Sequence, residues 1–190
     1  YLEANPPCSY IIQEYIKGRT LKEVLQSGYR FSPSRVYDIA LQLLNILEQL
    51  HKHEPPIIHR DIKPSNILCQ KQNGSVELAL IDFGAVANPQ KRSGGSTIAG
   101  TFGYMAPEQL QGECCIQSDF YALGATAVHM LTGVSPYTMP ADVFKLDYKP
   151  TLAQKAPKTS KEMIALLDYM LAVKSSDRPA DSNALIAAIR

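Results

Sequence analysis

The sequence predicts an α+β chain that is mainly helical and carries one small β-hairpin sheet. Three observations lead there. Val36, Ile39, Ala40, Leu43, Leu44, Leu47 and Leu50 recur at the spacing of one buried helix face. Two β-prone runs, residues 67–69 and 76–81, flank Asn73-Gly74, a dipeptide suited to tight hairpin turns. Helix-start signals precede several other stretches: Thr20-x-x-Glu23, Ser32-Pro33 and Thr159-x-x-Glu162.

In chain order, Tyr10-Ile11-Ile12 after the Pro6-Pro7 breaker predicts a strand over residues 9–15. The Thr20–Glu23 capping box opens a short helix. Ser32 as N-cap with Pro33 at the first helical position starts a long one, which Pro55-Pro56 stops. The hairpin follows. Residues 85–101 are small, polar and glycine-bearing and read as a long loop, a feature that usually serves function. Ser118 is expected to open a largely apolar helix to about Leu131. The Thr159 capping box leads a helix through Ile164, Leu167 and Leu171, and a last helix runs from about Ser182 to the end.

The 190 residues suit a single domain with a substantial core. Hydrophobic content of 45%, charged content of 19% and a formal net charge of +1 are those of an ordinary globular chain. That charge balance argues against a dedicated nucleic-acid or anionic-membrane surface. No apolar run reaches the ~18–20 residues of a bilayer span. The chain begins at Tyr1 without Met or a signal segment, and reads as incomplete. Cys8, Cys69, Cys114 and Cys115 form no C-x-x-C pair, and the adjacent Cys114-Cys115 is poorly placed for mutual bridging. Reduced thiols in a cytoplasmic protein are expected, and the ligand spacing of a zinc site is lacking.

The chemistry is concentrated in three motifs. His59-Arg60-Asp61-Ile62-Lys63-Pro64-Ser65-Asn66 reads H-R-D-x-K-P-x-N. Asp82-Phe83-Gly84 begins sixteen residues after Asn66, and Ala106-Pro107-Glu108 follows. In this order and spacing they match the catalytic loop, the metal-binding motif and the end of the activation segment of protein kinases. Over nearly its whole length the chain resembles the C-terminal lobe of a bacterial-type Ser/Thr protein kinase. Two family features are absent from the 190 residues: the G-x-G-x-x-G loop and the V-A-I-K-type lysine. Only Gly18 and Gly28 precede the catalytic loop, and Gly94-Gly95 comes after it. Residues 1–190 therefore read as a partial kinase domain, the hinge strand plus the large lobe. The N-lobe is expected on the same parent chain, and these residues alone are expected to be inactive.

The resemblance implies transfer of the ATP γ-phosphoryl group to Ser/Thr hydroxyls of protein substrates, with Mg²⁺. It implies that Asp61 accepts the hydroxyl proton. Lys63, two residues on in an extended loop, points the same way toward the phosphoryl group. Asn66 and Asp82 become the magnesium ligands, hard oxygen donors of the kind Mg²⁺ prefers. Glu14 and Ile16 fall at hinge positions whose backbone would meet adenine, and Leu68 at its floor. His59 and Phe83 match hydrophobic-spine members. Thr97 lies four residues before Thr101, the spacing of the family's main phosphosite followed by the threonine that contacts the catalytic loop. Arg60 would read the phosphate, and Ser93 and Ser96 compete with Thr97. Glu108 and Arg178 resemble a buried ion pair, and Asp119 an anchor for the catalytic-loop backbone. His51, His53 and His129 match no pattern and read as helix or loop histidines. The rival reading is a non-catalytic, truncated or pseudokinase-like protein-binding module. A small-molecule phosphotransferase of related fold would usually lack the activation segment.

Overall fold

The computed structural model describes residues 14–72, 75–83, 99–142 and 145–189. Strand β1 (Arg19–Thr20) runs straight into helix α1 (Leu21–Gln26), and α2 (Pro33–His51) follows. Next come β2 (Ile67–Gln72), β3 (Ser75–Leu80) and α3 (Ile116–Thr132). The two-residue strands β4 (Ala141–Asp142) and β5 (Lys145–Leu146) precede α4 (Lys149–Lys155), α5 (Lys161–Met170) and α6 (Ser182–Ile189). The main sheet has antiparallel order β1-β2-β3, with register Ile67↔Leu80 through Gln72↔Ser75. The mainly helical α+β class with a small hairpin sheet is thus what the chain adopts.

The local signals act as their chemistry dictates. Thr20 and Glu23 form a reciprocal capping box at α1, with Thr20 N to Glu23 Oε2 at 2.7 Å and Glu23 N to Thr20 Oγ1 at 3.2 Å. Ser32 caps α2 through Arg35 N, with Pro33 in the first turn. The α2 stripe from Val36 to Leu47 is buried, with Leu50 packed at its edge. Helix α3 is the centre of the core: every residue from Ser118 to Val128 is buried, and α2, α4 and α5 pack around it. A Cβ on Gly124 would lie 2.9 Å from Met170 Cβ, so glycine there lets α3 and α5 close up.

Two expectations are corrected. Helix α3 starts at Ile116 rather than Ser118, because the Ser118 hydroxyl sits inside the first turn and accepts from Cys115 N (3.2 Å). Helix α5 is capped by Ser160, whose hydroxyl accepts from Met163 N. Thr159 Oγ1 instead donates to Ala156 O of the preceding turn (2.7 Å). The strand expected over residues 9–15 lies outside the described residues except for Glu14 and Tyr15, which are in no strand. The turn Asn73-Gly74 and most of the long loop, residues 84–98, also lie outside them. Helix α4 and the β4–β5 pair were not anticipated, because seven-residue and two-residue elements carry too little periodicity.

Candidate active site

The site is a loop pinned from behind by α3. Asp119, in the first turn of α3, is fully buried. Its Oδ2 accepts from His59 N (3.0 Å) and its Oδ1 from Arg60 N (2.8 Å). His51, at the end of α2, meets Oδ2 through Nε2 at 2.9 Å. These bonds hold Arg60 at φ 69°, a left-handed conformation unfavourable for a residue with a Cβ. Such backbone strain persists only where the surroundings fix it, and it concentrates at functional sites. Asp82 is the other non-glycine residue with positive φ among the described residues, at 66°.

His59 links the loop to the end of β3. Its Nε2 donates to Ile81 O (3.2 Å) and its Nδ1 accepts from Asp61 N (3.4 Å), which fixes the neutral tautomer. Burial pushes this imidazole below its ordinary pKa, against the opposing pull of Asp119. Its ring meets Phe83 edge-on, with centroids 5.0 Å apart.

Asp61 is nearly buried, with side-chain exposure of 11%. Lys63 Nζ donates to Asp61 Oδ2 and to Thr101 Oγ1, both at 2.6 Å, and the Thr101 hydroxyl donates to Asp61 Oδ1 at 2.7 Å. Asn66 Nδ2 donates to Asp61 O (2.9 Å) and Oδ2 (3.1 Å). A carboxylate offers about four lone-pair sites. Two donors occupy Oδ2 and one occupies Oδ1, so Oδ1 keeps a position for one more hydroxyl. Thr101, thirty-eight residues beyond Lys63, is thereby joined to the catalytic-loop motif.

Asn66 O accepts from Ile81 N (2.9 Å), which holds the end of β3, and with it Asp82, beside Asn66. With Nδ2 committed to Asp61, the other amide atom of Asn66, Oδ1, accepts only a long bond from the Ser65 hydroxyl (3.3 Å), and Asp82 adds a carboxylate. Among the described residues no group of three or more His, Cys, Asp or Glu side chains could hold a metal by itself. An oxygen pair of this kind fits Mg²⁺, which binds through one or two protein oxygens with phosphate oxygens and water. Glu14 is exposed and Ile16 half-buried. Both precede β1, whose pairing with β2 sets Leu68 opposite Thr20. Thr97, Ser93, Ser96 and Gly84 lie outside the described residues. Arg60 is buried, and its side chain is not without a partner.

Two supports lie behind the loop. Glu108 and Arg178 form a bidentate pair at 2.7 and 2.9 Å. The other Arg178 donors reach Ala172 O, Gln117 O and Val173 O, so all five are used. Burial alone would raise the Glu108 carboxyl, but hydrogen bonds from Arg178 and Ser118 outweigh it and hold the group below its ordinary value. Gln109 was missed in the sequence. It is fully buried, and its Nε2 donates to both Arg60 O (3.0 Å) and Ala99 O (3.1 Å), tying the catalytic loop to the segment before Thr101. Its place directly after Glu108 was the available signal. His51 and His129 were also missed: the first meets Asp119, and the second shares a hydrogen bond with the Tyr104 hydroxyl at 2.6 Å.

The whole arrangement has counterparts. Residues 3–187 match the family described as the protein kinase domain. The chain belongs to the protein kinase family. Serine/threonine-protein kinase C of Synechocystis sp. is 36% identical over 176 residues, covering 89% of this chain and 32% of its own length. Serine/threonine-protein kinase PknA of Nostoc sp. is 38% identical over 169 residues, covering 80% and 29%. The chain therefore spans about a third of these curated relatives. The PknI kinase domain of Mycobacterium tuberculosis superposes with a TM-score of 0.67 at 22% identity, over 93% of this chain and 63% of that one, and shares the fold. No helix among the described residues is long and apolar enough to cross a membrane.

Proposed function

We propose that this chain is the large-lobe part of a protein serine/threonine kinase that transfers the ATP γ-phosphoryl group to Ser/Thr hydroxyls of proteins. The observation that carries the reading is the closed network of Asp61, Lys63, Asn66 and Thr101, with a position left on Asp61 Oδ1. An acceptor hydroxyl bonded there gives its proton to Asp61 as its oxygen forms the bond to the γ-phosphorus and the bond to the ADP oxygen breaks. Lys63, fixed between Asp61 and Thr101, holds positive charge next to the transferred group. Asn66 Oδ1 and Asp82 are the residues that would hold Mg²⁺, which when bound neutralises phosphate charge. Glu14, Ile16 and Leu68 line the side on which adenine would lie. The small lobe that would cover the phosphates is assigned to the same parent chain, and 1–190 to one partial kinase domain.

The test is ATP-dependent labelling of a Ser/Thr protein substrate by the full-length parent. Asp61→Asn should lower kcat by about 10²–10⁴, the usual contribution of a positioned base, and leave the melting temperature nearly unchanged. Near-full kcat in Asp61→Asn would sink the reading. Residues 1–190 alone contain no G-x-G-x-x-G loop, so the same assay on them should show no turnover. Turnover near the ~1–100 s⁻¹ of kinases would refute that part. Regulation is assigned to Thr97, with Arg60 as the phosphate reader. Phosphosite mapping of the active parent checks it, and full activity in Thr97→Ala excludes it. The free thiols of Cys69, Cys114 and Cys115 support a cytoplasmic setting.

A further inference from the structure

Beside the Asp61 network lies a cleft of about 500 Å³, between α1, the catalytic loop and the end of α3. Lys22, Gln26, Lys63, Ser65, Thr101 and Gly133 are among its walls, and no Asp or Glu lines it. Lys63 is already neutralised by Asp61. Lys22 is not: it is exposed on α1 and has no carboxylate partner among the described residues. A second cation sits at the rim. Gly133 ends α3 at φ 67°, and a Cβ there would collide with the Arg30 guanidinium, so Arg30 lies against the cleft wall. Its own hydrogen bonds go to the backbone oxygens of Leu25 and Tyr29, which leave its charge unneutralised. Arg30 is also close enough to nearby His129 to add to the effect of burial, which is the larger cause of its imidazole being pulled down to about 4. The chain between Asp82 and Thr101 contains no carboxylate that could offset it.

We propose that this cleft selects the protein substrate: it takes the residues flanking the acceptor Ser/Thr and favours an anionic side chain there, read by Lys22 and Arg30. The proposal rests on the kinase reading above and adds the substrate class. The cleft shares Lys63 and Thr101 with the Asp61 network, so a peptide whose hydroxyl meets Asp61 must run its neighbouring residues along these walls. A carboxylate or phosphate held between two uncompensated cations gains attraction, whereas an arginine there meets like charge. Two surface ion pairs together supply about a 5- to 10-fold preference.

The experiment uses the full-length enzyme and peptides with one acceptor serine flanked by Ala, Glu, Arg or phosphoserine. The quantity read is the ratio of kcat/KM values, which cancels any partial loss of folded enzyme. Glu- or phosphoserine-flanked peptides should exceed Ala by about 5- to 10-fold, with Arg below Ala. The Glu and phosphoserine arms tell whether carboxylate or phosphate is the better-read anion. The preference should shrink as salt rises and fall to about one in the Lys22→Ala/Arg30→Ala double variant. Transfer with no anionic preference, or with a preference the double variant retains, overturns this inference and leaves the kinase reading standing. No transfer to any peptide or protein overturns both.

Discussion

Two carboxylates, Asp61 and Glu108, sit in the same molecule and are held in opposite ways. Glu108 is gripped by a guanidinium whose every donor is used and whose side chain has no exposure. Asp61 is held by three side chains, Lys63 and Asn66 from its own loop and the remote Thr101, and keeps an acceptor position on Oδ1 free. The first arrangement is saturated and can only be broken. The second is oriented but unfinished, which is what a group that must receive a proton requires. The comparison separates a joint of the scaffold from a reagent although both are ionised acids in polar networks.

The sharpest way to break the comparison is to cross activity with stability. Arg178→Ala leaves a largely buried Glu108 unpaired and should lower stability by ~3–5 kcal/mol, the usual effect of removing one partner of a buried pair. Asp61→Asn should instead act on kcat and hardly on the melting temperature. Thermal melts and kinetics of the two variants, side by side, check this. A stable Arg178→Ala protein, or an unfolded Asp61→Asn one, would erase the distinction.

A smaller effect comes from pH. His129 is pulled to about 4 by burial, with Arg30 contributing, against an ordinary value of 6.5. Its folded-state pKa is depressed, so the stability it contributes is complete above pH 6.5 and is lost as pH falls toward 4, because the unfolded chain takes up the proton first. The loss should be about 3 kcal/mol across that window. His129→Gln, which still offers an oxygen to the Tyr104 hydroxyl, should flatten this part of the stability–pH profile in denaturant titrations. An unchanged slope would count against the buried neutral imidazole.

The smallest expected effect sharpens the picture of Asp61. Thr101→Val removes one of its three donors and one anchor of Lys63. Since Lys63 and Asn66 remain, kcat should fall by about tenfold, equivalent to ~1.4 kcal/mol, with KM for ATP unchanged. A loss as large as that of Asp61→Asn would mean Thr101 is itself essential to the chemistry.

Much of this was legible before any coordinates, and the reason is local. Capping boxes, an N-terminal proline and an apolar stripe are short-range interactions written within a few residues, so α1 and α2 begin where Thr20 and Ser32 place them. The motif H-R-D-x-K-P-x-N keeps Asp61, Lys63 and Asn66 within six residues, close enough for the loop alone to bring them together. Where two hydroxyls compete for one cap, as at Thr159 and Ser160, the sequence is ambiguous, and the turn before the helix decides.

The sequence by itself determined the fold class, the family and the cluster around Asp61, because each rests on neighbours along the chain or on a dense motif. Only the tertiary structure decided that His51 meets Asp119 across sixty-eight residues, that Gln109 ties Arg60 to Ala99, and that Lys22 lines one cleft with Lys63 while Arg30 lies against Gly133 in its wall. These contacts join segments whose separation in sequence carries no periodic signal. They exist because α3, buried along nearly its full length, gathers the surrounding elements onto one core and so brings remote polar side chains within hydrogen-bonding reach.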